Sequence, residues 1–568
     1  MELGLTGYLG IVFLIVIVAW YIHDKYVQRE HQLLVNYPII GRLRYLFEEV
    51  REPFRQYFGD EKFYESKDKL DWVYKAARDL PNYASFSPAQ PLPKPKFMIR
   101  HANIVLNDNE VEDDFAVTFG ERREKPYTSK SIIARSAMSD GSISPEGTRA
   151  FVQGSFVGGF PINSGEGGVT SNFFMTHKNY DESYMTIVDS NNFNKNIKKI
   201  VKFLFNGSVA ADVYRKLVFK NDPEAETYIL DMDKKRFYRP NWDAPLESFP
   251  KDVPSDMPDI VFQISSGLYG ARDKNGKFDE DRYQKVMCFC QMTEIKLAQG
   301  AKQTGGKLSG AKVTPAIAYY RNVEAYKDVF SPNRFPYANS IEELFDFIGK
   351  LQKLSKKPVG IKIVISDKEN IEPYAKEIKR RIDLGIDAYP DYITLDAGSG
   401  GSATAPLEMM ERVGLNVRDS VYLVDKILSD YGIRDKIKIV ASGKILTPDD
   451  IIIIMSLGAD FLQIARGFMM SAGCIRARYC SGTTGRQCPV GLATQDKSKR
   501  KQYFVFKHAN YVANYHKNLL KNVKGLLAIM GLKNIKQLDK NKLLFLDNNS
   551  RVHDDIDEVF KRKLDLKK

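Results

Sequence analysis

IKIVASGKILTPDDIIIIMSLGADFLQIARGFM, residues 437–469, holds two apolar runs with a helical pattern between them. Ile437–Gly443 and Ala459–Ala465 are short and rich in Val, Ile and Ala, as strands are. Pro448–Leu457 reads as a helix with Thr447 as its N-cap. The unit is strand, turn, helix, strand, and it repeats from residue 131 onward. Ser131–Met138, Pro161–Gly165, Ile260–Ser266, Glu294–Gly300, Val359–Ile365 and Asp391–Gly398 also qualify as strands, and most end at Gly or Ser. Helical patterns such as Ile341–Leu354 and Ile371–Leu384 lie between most of them. Eight βα units predict an α/β fold closed into a (β/α)8 TIM barrel. An open doubly wound sheet is the alternative, but eight is the number that closes.

Around this repeat the chain divides into 1–25, a transmembrane anchor; 26–96, a helical segment and Pro-rich connector; 97–500, the barrel with a cysteine-bearing loop; and 501–568, a C-terminal helical extension. Leu3–Ile22 runs 20 residues without a charge, about the ~20 needed to cross a bilayer. Trp20 and Tyr21 stand where an interfacial aromatic belt would lie. No Lys or Arg precedes the run and no A-x-A site follows it, which argues against a removable signal peptide. Lys25, Arg29, Arg42 and Arg44 come after it, so the positive-inside rule puts a single-pass protein in the membrane with everything after Ile22 in the cytoplasm. A buried core helix is the competing reading. In the second region Tyr45, Leu46, Phe54, Tyr57, Phe58, Trp72, Val73 and Ala76 recur at helical spacing. Residues 97–120 alternate like a short hairpin, and Val523–Met530, closed by Gly531, is an amphipathic stretch suited to packing on the barrel or on a second copy.

Apolar residues at 43% and charged residues at 27% are ordinary for a globular protein. Five cysteines, an odd number and mostly clustered, argue against a disulfide framework and fit a reducing compartment. The net charge of +13 is a basic surface, an anionic-membrane face or a docking face for an acidic protein. Nucleic acid is disfavoured, because the lysines are dispersed and no basic-aromatic motif would stack bases.

In a barrel of this kind the functional groups sit on the C-terminal strand ends. Those ends are glycine-rich here: AGSGGSATAP (Ala397–Pro406), ASGKILTPDD (Ala441–Asp450) and IARGFM (Ile464–Met469). Glycines let backbone N–H groups come close to an anion, and the loops after strands seven and eight are the usual phosphate site. A phosphate-bearing cofactor is therefore expected. The fourth strand carries EIKLAQGAKQTGGKLSGAK (Glu294–Lys312), in which Lys296 and Gln299 bracket the strand end and Lys302 opens the next loop. Lys362 stands in the middle of strand five. A lysine inside a barrel must meet a negative partner or shift its pKa; the alternative is that these lysines point outward between helices. In NSGEGG (Asn163–Gly168), Glu166 sits between glycines and suits proton handling or ammonium contact.

GCIRARYCSGTTGRQCPVG, residues 473–491, places Cys474, Cys480 and Cys488 in a C-x5-C-x7-C pattern followed by Pro489. Three thiolates and a nearby proline match an iron–sulfur cluster lacking one corner iron. Zinc normally takes a fourth Cys or His, and the nearest histidine in sequence is His508. Three inert buried thiols are the remaining reading.

Taken together, these segments resemble the FMN-binding synthase domain of glutamate synthase and its short, stand-alone relatives. The resembling residues are RSAMSDGSISPEGTRAF, NSGEGG, EIKLAQGAK, SIEEL, SGGSATAP, ASGKI, LGAD, ARGFM and GCIRARYC…CPVGLATQ, over roughly Ser131–Gln495. YPIIGRLRYLFEEVREPFRQYF and DWVYKAA resemble the short relatives at the N-terminal side. The resemblance implies FMN over the barrel mouth, a 3Fe–4S cluster on Cys474, Cys480 and Cys488, and reduction of a 2-oxoglutarate-derived imine to glutamate. By motif position, Ser136, Ala137, Met138 and Ser139 line the flavin with Gln299 and Lys362, while Gly401, Ser402, Gly443 and Arg466 reach its ribityl chain or phosphate. Glu166 and Lys296 are the implied catalytic pair. Ser266, Lys302 and Arg321 fall where substrate is held, and Lys307 stands where the family places a substrate-contacting Gln. Departures from the family pattern are QTGGKLSG for PGEGGQLPG, GGSATAP for GGTGAAP, and a longer second cysteine interval.

Members of full length carry an N-terminal glutaminase, whereas here that end reads as a membrane span. Nitrogen is then ammonia, free or released from glutamine elsewhere. No G-x-G-x-x-G fingerprint is present, so an electron-donor protein, a ferredoxin or a reductase subunit, is expected. A homo-oligomer is compatible. The competing functions are a flavin barrel acting on a different 2-oxo or amino acid, and a non-enzymatic membrane-tethered redox or binding protein.

Overall fold

The computed structural model describes residues 5–49, 66–83, 87–88, 92–174, 185–188, 195–204, 213–214, 217–218, 229–231, 236–240, 253–254, 257–300, 306–406, 408–477, 479–481, 487–500 and 503–566. Eight parallel strands close into a barrel in chain order: β1 (Ile133–Arg135), β2 (Ile162–Asn163), β3 (Ile260–Ile264), β4 (Met292–Lys296), β5 (Val359–Ile363), β6 (Tyr392–Asp396), β7 (Lys438–Ser442) and β8 (Phe461–Ile464). The β8–β1 seam, Leu462 against Ile133 and Ile464 against Arg135, completes the ring and excludes the open sheet. Nearly every strand residue is buried, as expected where both faces are covered. β4 starts and stops earlier than its apolar pattern predicts, so Leu297–Gly300 is loop at the barrel mouth.

The barrel interior is layered. At its N-terminal end Phe119, Tyr127, Val261, Met292, Tyr392 and Phe461 form an apolar plug. Above it lies a polar layer centred on the fully buried Glu294. Asn163 and Gln263 donate to its Oε1 at 2.9 and 2.6 Å, and Thr394 and Gln463 donate to its Oε2 at 2.6 and 2.9 Å. Such a carboxylate is tolerable in a core only because its acceptor sites are filled. The functional groups stand above this layer.

The helices follow their sequence signals. α1 is Leu5–Ile22, α2 Gly41–Glu49, α3 Lys67–Ala77, α4 Pro145–Gly158, α5 Ile341–Ser355, α6 Glu372–Asp383, α7 Val417–Asp430, α8 Pro448–Ser456 and α9 Val505–Ile529. Thr447 caps α8 in a capping box with Asp450. α9 absorbs the amphipathic stretch Val523–Met530 and packs on α4. Gly154 permits that contact, because a Cβ there would sit 2.6 Å from Ala509 O.

The expected hairpin over 97–120 does not form. Lys96–Ile99 pairs instead with Leu543–Leu546, and Val117–Phe119 pairs with Tyr127–Ser129. Alternation specifies a face to be covered but not the partner that covers it. The C-terminal extension is accordingly part helix and part sheet, with Val552–His553 as a third strand.

α1 is long and apolar enough, by length and composition, to cross a membrane, and almost none of the apolar window from residue 10 to 27 is buried among the described residues. Its junction with the barrel is built. Asp24 is fully buried and accepts from Ile39 N at 2.9 Å and from Arg42 Nε at 2.9 Å. Gln32–Asn36 docks on the segment after the cysteines, with Asn36 Nδ2 donating to Pro489 O at 2.8 Å and to Lys499 O at 3.0 Å. Phe54, Tyr57 and Phe58 lie outside the described residues.

Candidate active site

A cavity of about 1190 Å³ opens at the C-terminal mouth of the barrel. Ser136, Ala137, Met138 and Ser139 form one wall directly after β1. Glu166, Ser266 and Gln299 enter after β2, β3 and β4; Lys296 is the last residue of β4 and Lys362 comes from within β5. Gly401 and Ser402, Gly443, and Arg466 close the side after β6, β7 and β8, and Lys307 stands at the mouth. Cys474 and Cys480 line the same cavity. Arg321 is buried close by, and Cys488 is buried in the cysteine loop. Lys302 lies outside the described residues.

Lys296 is the hinge of the polar cluster. Its Nζ donates to Glu166 Oε2 at 2.8 Å and to Gln299 Oε1 at 2.7 Å. Burial pushes the Glu166 carboxyl up, but Lys296, Arg321 and the Ser265 hydroxyl outweigh it and hold the pKa at about 2. Glu166 is therefore a carboxylate at neutral pH, an acceptor poised beside an ammonium donor. Lys362 Nζ meets Asp396 Oδ2 at 3.0 Å. Burial opposes its charge, yet Asp396, Glu294 and Glu166 prevail and raise its pKa above the ordinary lysine value. Both strand lysines thus point into the barrel.

Arg321, at the end of the helix Pro315–Arg321, donates to Ser139 Oγ at 3.4 Å and Asp140 O at 3.3 Å. Its Nε is buried with no hydrogen-bond partner among the described residues, a donor suited to an anion. Burial lowers its pKa, against the pull of Glu166. Ser266 Oγ donates to Pro332 O at 2.6 Å. Lys307 is half-exposed and already paired with Asp328 at 2.8 Å. On the far side, a Cβ on Gly401 would lie 3.5 Å from Arg466 Nη2, so a guanidinium faces a glycine turn. Gly443 has φ +139, and a Cβ there would sit 2.5 Å from the Cβ of Ala397.

The three thiols influence one another electrostatically. Burial pushes the Cys474 thiol up to about 12, although Arg476 N donates to its Sγ at 3.4 Å. Burial and Cys488 raise Cys480. Among the described residues no three His, Cys, Asp or Glu side chains converge as ligands of a single metal ion. His508 is buried beside Gly473, and burial pushes its pKa down to about 3. Lys312 is buried against the loop, donating to Cys480 O at 2.7 Å and Ala493 O at 3.4 Å.

Four residues escape the sequence reading. Asp396 gives no signal beyond its place in a strand-end TLDAGSG run. Glu294 opens the lysine motif, but a strand carboxylate reads alike whether it points in or out. Lys312 ends the same motif and reaches the cysteines only through the fold. Lys444, paired with Glu411 at the cavity rim, reads as a surface lysine.

A family model described as the conserved region in glutamate synthase matches residues 87–533. A glutamate synthase large subunit-like protein of Bacillus subtilis (strain 168), YerD, is 29% identical over 590 aligned residues, covering 96% of this chain and 95% of that one. The archaeal-type glutamate synthase (NADPH) of Thermotoga maritima is 30% identical over 296 residues, 52% of this chain and 54% of its own length. The archaeal glutamate synthase (NADPH) of Methanocaldococcus jannaschii is 31% identical over 287 residues, 50% of this chain and 52% of its own length. The chain thus matches about half the length of these two relatives. Among solved structures, a flavocytochrome b2 chain with sulfite bound has a TM-score of 0.40 and 12% identity over 90% of this chain and 89% of that one, too distant to bear on the reaction.

Proposed function

The chain belongs to the glutamate synthase family of oxidoreductases, and from that premise we propose that it reduces the imine of 2-oxoglutarate and ammonia to L-glutamate. One observation carries the reading. The ion pair Lys296–Glu166, the pair Lys362–Asp396, the glycine turn facing Arg466, and two cysteines of the loop all meet in one cavity at the barrel mouth.

The residues present suit FMN. The cavity exceeds the ~300–1,000 Å³ of ordinary ligand pockets, so cofactor and substrate fit together. Ser136–Ser139, Gln299 and Lys362 would hold the ring. Gly401, Ser402, Gly443 and Arg466 would hold the ribityl chain and phosphate, the guanidinium matching a phosphate's geometry. Three cysteines without a fourth Cys or His match a three-cornered cluster better than a closed zinc site. Ligation by Cys474, Cys480 and Cys488 in a 3Fe–4S cluster would also deprotonate thiols that burial otherwise keeps protonated. When bound, FMN would supply hydride and the cluster would relay electrons to it.

This chain's own residues then do the rest. Condensation of 2-oxoglutarate with ammonia expels water and leaves a carbon–nitrogen double bond; its reduction adds hydride at carbon and a proton at nitrogen. Lys296 Nζ, held between Glu166 and Gln299, is the proton source, and Glu166 keeps it oriented. Arg321, with its unsatisfied N–H, binds a substrate carboxylate, assisted by Ser266 and by Lys302. Lys307 can bind substrate only by giving up Asp328. The test is product formation from 2-oxoglutarate, ammonium and a low-potential reductant. Glutamate in preference to products from other 2-oxo acids supports the reading; a different preferred 2-oxo acid favours the second member of the same chemistry and sinks the first.

The same proposal includes a single-pass anchor. α1 supports it by its exposed apolar surface, and Lys25, Arg29, Arg42 and Arg44 set the barrel on the cytoplasmic side. Electrons come from a separate donor protein, a ferredoxin or reductase subunit. The division at 1–25, 26–96, 97–500 and 501–568 stands as part of this proposal.

A further inference from the structure

We infer that helix α2 is a second membrane contact, seating its apolar edge in the lipid interface beside α1 and holding the cysteine loop next to the bilayer surface. The inference rests on reading α1 as a membrane span. α2 reads GRLRYLFEE. It leaves Leu43 and Leu46 51% exposed and Phe47 59% exposed, and Ile40 one turn earlier is 71% exposed. Positions 40, 43 and 47 repeat at helical spacing, so these side chains share one edge. Scattered apolar residues on a surface need no explanation, but a contiguous edge of four large ones marks a contact.

Its depth is set by a contact with the span. The Arg42 guanidinium lies 5.2 Å from the centroid of the Trp20 ring, and Arg42 also binds the buried Asp24 just beyond α1. Trp20 is the span's interfacial aromatic, the level of the headgroups. α2 therefore starts at headgroup level on the barrel side. An amphipathic helix at that level sinks its apolar face by about 5–10 Å into the headgroup–acyl boundary. The occupant is lipid because α2 meets the span through Arg42 on Trp20, and both helices leave large apolar side chains exposed.

The other side of the segment holds the cysteine loop. Arg44 donates to Ile475 O at 3.4 Å, and Asn36 donates to Pro489 O at 2.8 Å. From α3, Tyr74 OH donates to Cys474 O at 2.9 Å. The loop is thus tied at both ends to the residues that follow the span, and a bilayer seated on α2 would lie beside it.

The test uses full-length protein in phosphatidylcholine vesicles with and without bromine on the upper acyl chain. Trp20 is read as the difference between wild type and Trp20→Phe, and the helix as the difference between Phe47→Trp and wild type. Phe47 is exposed, so the larger ring needs no repacking. The expected result is quenching of both signals, with the emission of the indole introduced by Phe47→Trp reduced roughly twofold and blue-shifted on insertion, as for a ring at the acyl boundary. Quenching of Trp20 alone overturns this inference and leaves the anchor standing. Quenching of neither overturns the anchor and the inference with it.

Discussion

Lys296 and Glu166 define what the site can do, because a 2.8 Å ion pair at the mouth of a barrel is stable only while both members stay charged. Glu166→Gln keeps the side-chain shape and removes the charge that orients Lys296. Glutamate formation should fall by roughly 10²–10⁴-fold, the usual worth of a positioned proton-handling group, and at neutral pH the variant should melt lower than wild type, because the ion pair's contribution is gone. The pKa of about 2 also fixes a pH dependence. A depressed carboxyl contributes stability above its unfolded value and loses it as pH falls toward the folded one. Wild type should therefore lose stability relative to Glu166→Gln between about pH 4 and pH 2, and be unaffected above, in thermal melts across that range. Glu294 makes a separate prediction: Glu294→Leu strands the donors of Asn163, Gln263, Thr394 and Gln463, and should cost about 3–5 kcal/mol in denaturant titrations. Much of this was legible beforehand. Lys296 and Lys362 stood out as charges within apolar runs, and Glu166 as a carboxylate among glycines. Asp396 and the hub role of Glu294 were not, because a partner on another strand of the barrel leaves no local periodicity.

Strands and turns were the most legible level. The barrel strands lie in short segments mostly rich in Val, Ile and Ala, and all eight were readable without knowing their neighbours, although the polar residues at Asn163, Gln263, Glu294 and Thr394 gave no sign of which way they point. The pairing of Lys96–Ile99 with Leu543–Leu546 was not, since only the finished fold brings chain ends together. The glycine turns connect local geometry to cofactor binding. Gly443 has φ +139 with no room for a Cβ beside Ala397. Gly443→Ala should destabilise by about 1–3 kcal/mol and release flavin more readily on gel filtration. Unaltered stability with full flavin retention would show that the turn relaxes freely and that its shape does not matter to the cofactor.

The molecule as a whole carries a net charge of +13 and a cysteine loop fastened to the segment that follows α1. An acidic electron carrier should therefore reduce it at a rate that falls steeply with ionic strength, measured by stopped flow; a flat salt dependence would assign the charge to the lipid surface alone. Whether three thiols hold a cluster was only partly legible, because their number and spacing describe ligands and not the space between them. The anaerobic absorption spectrum of the purified full-length protein, with flavin, iron and acid-labile sulfide counted, decides it most directly. Predicted are one FMN per chain, iron and sulfide in the proportion of a 3Fe–4S cluster, and loss of the iron but not the flavin in Cys480→Ser. A colourless protein that releases no flavin on denaturation and carries no iron would contradict the account.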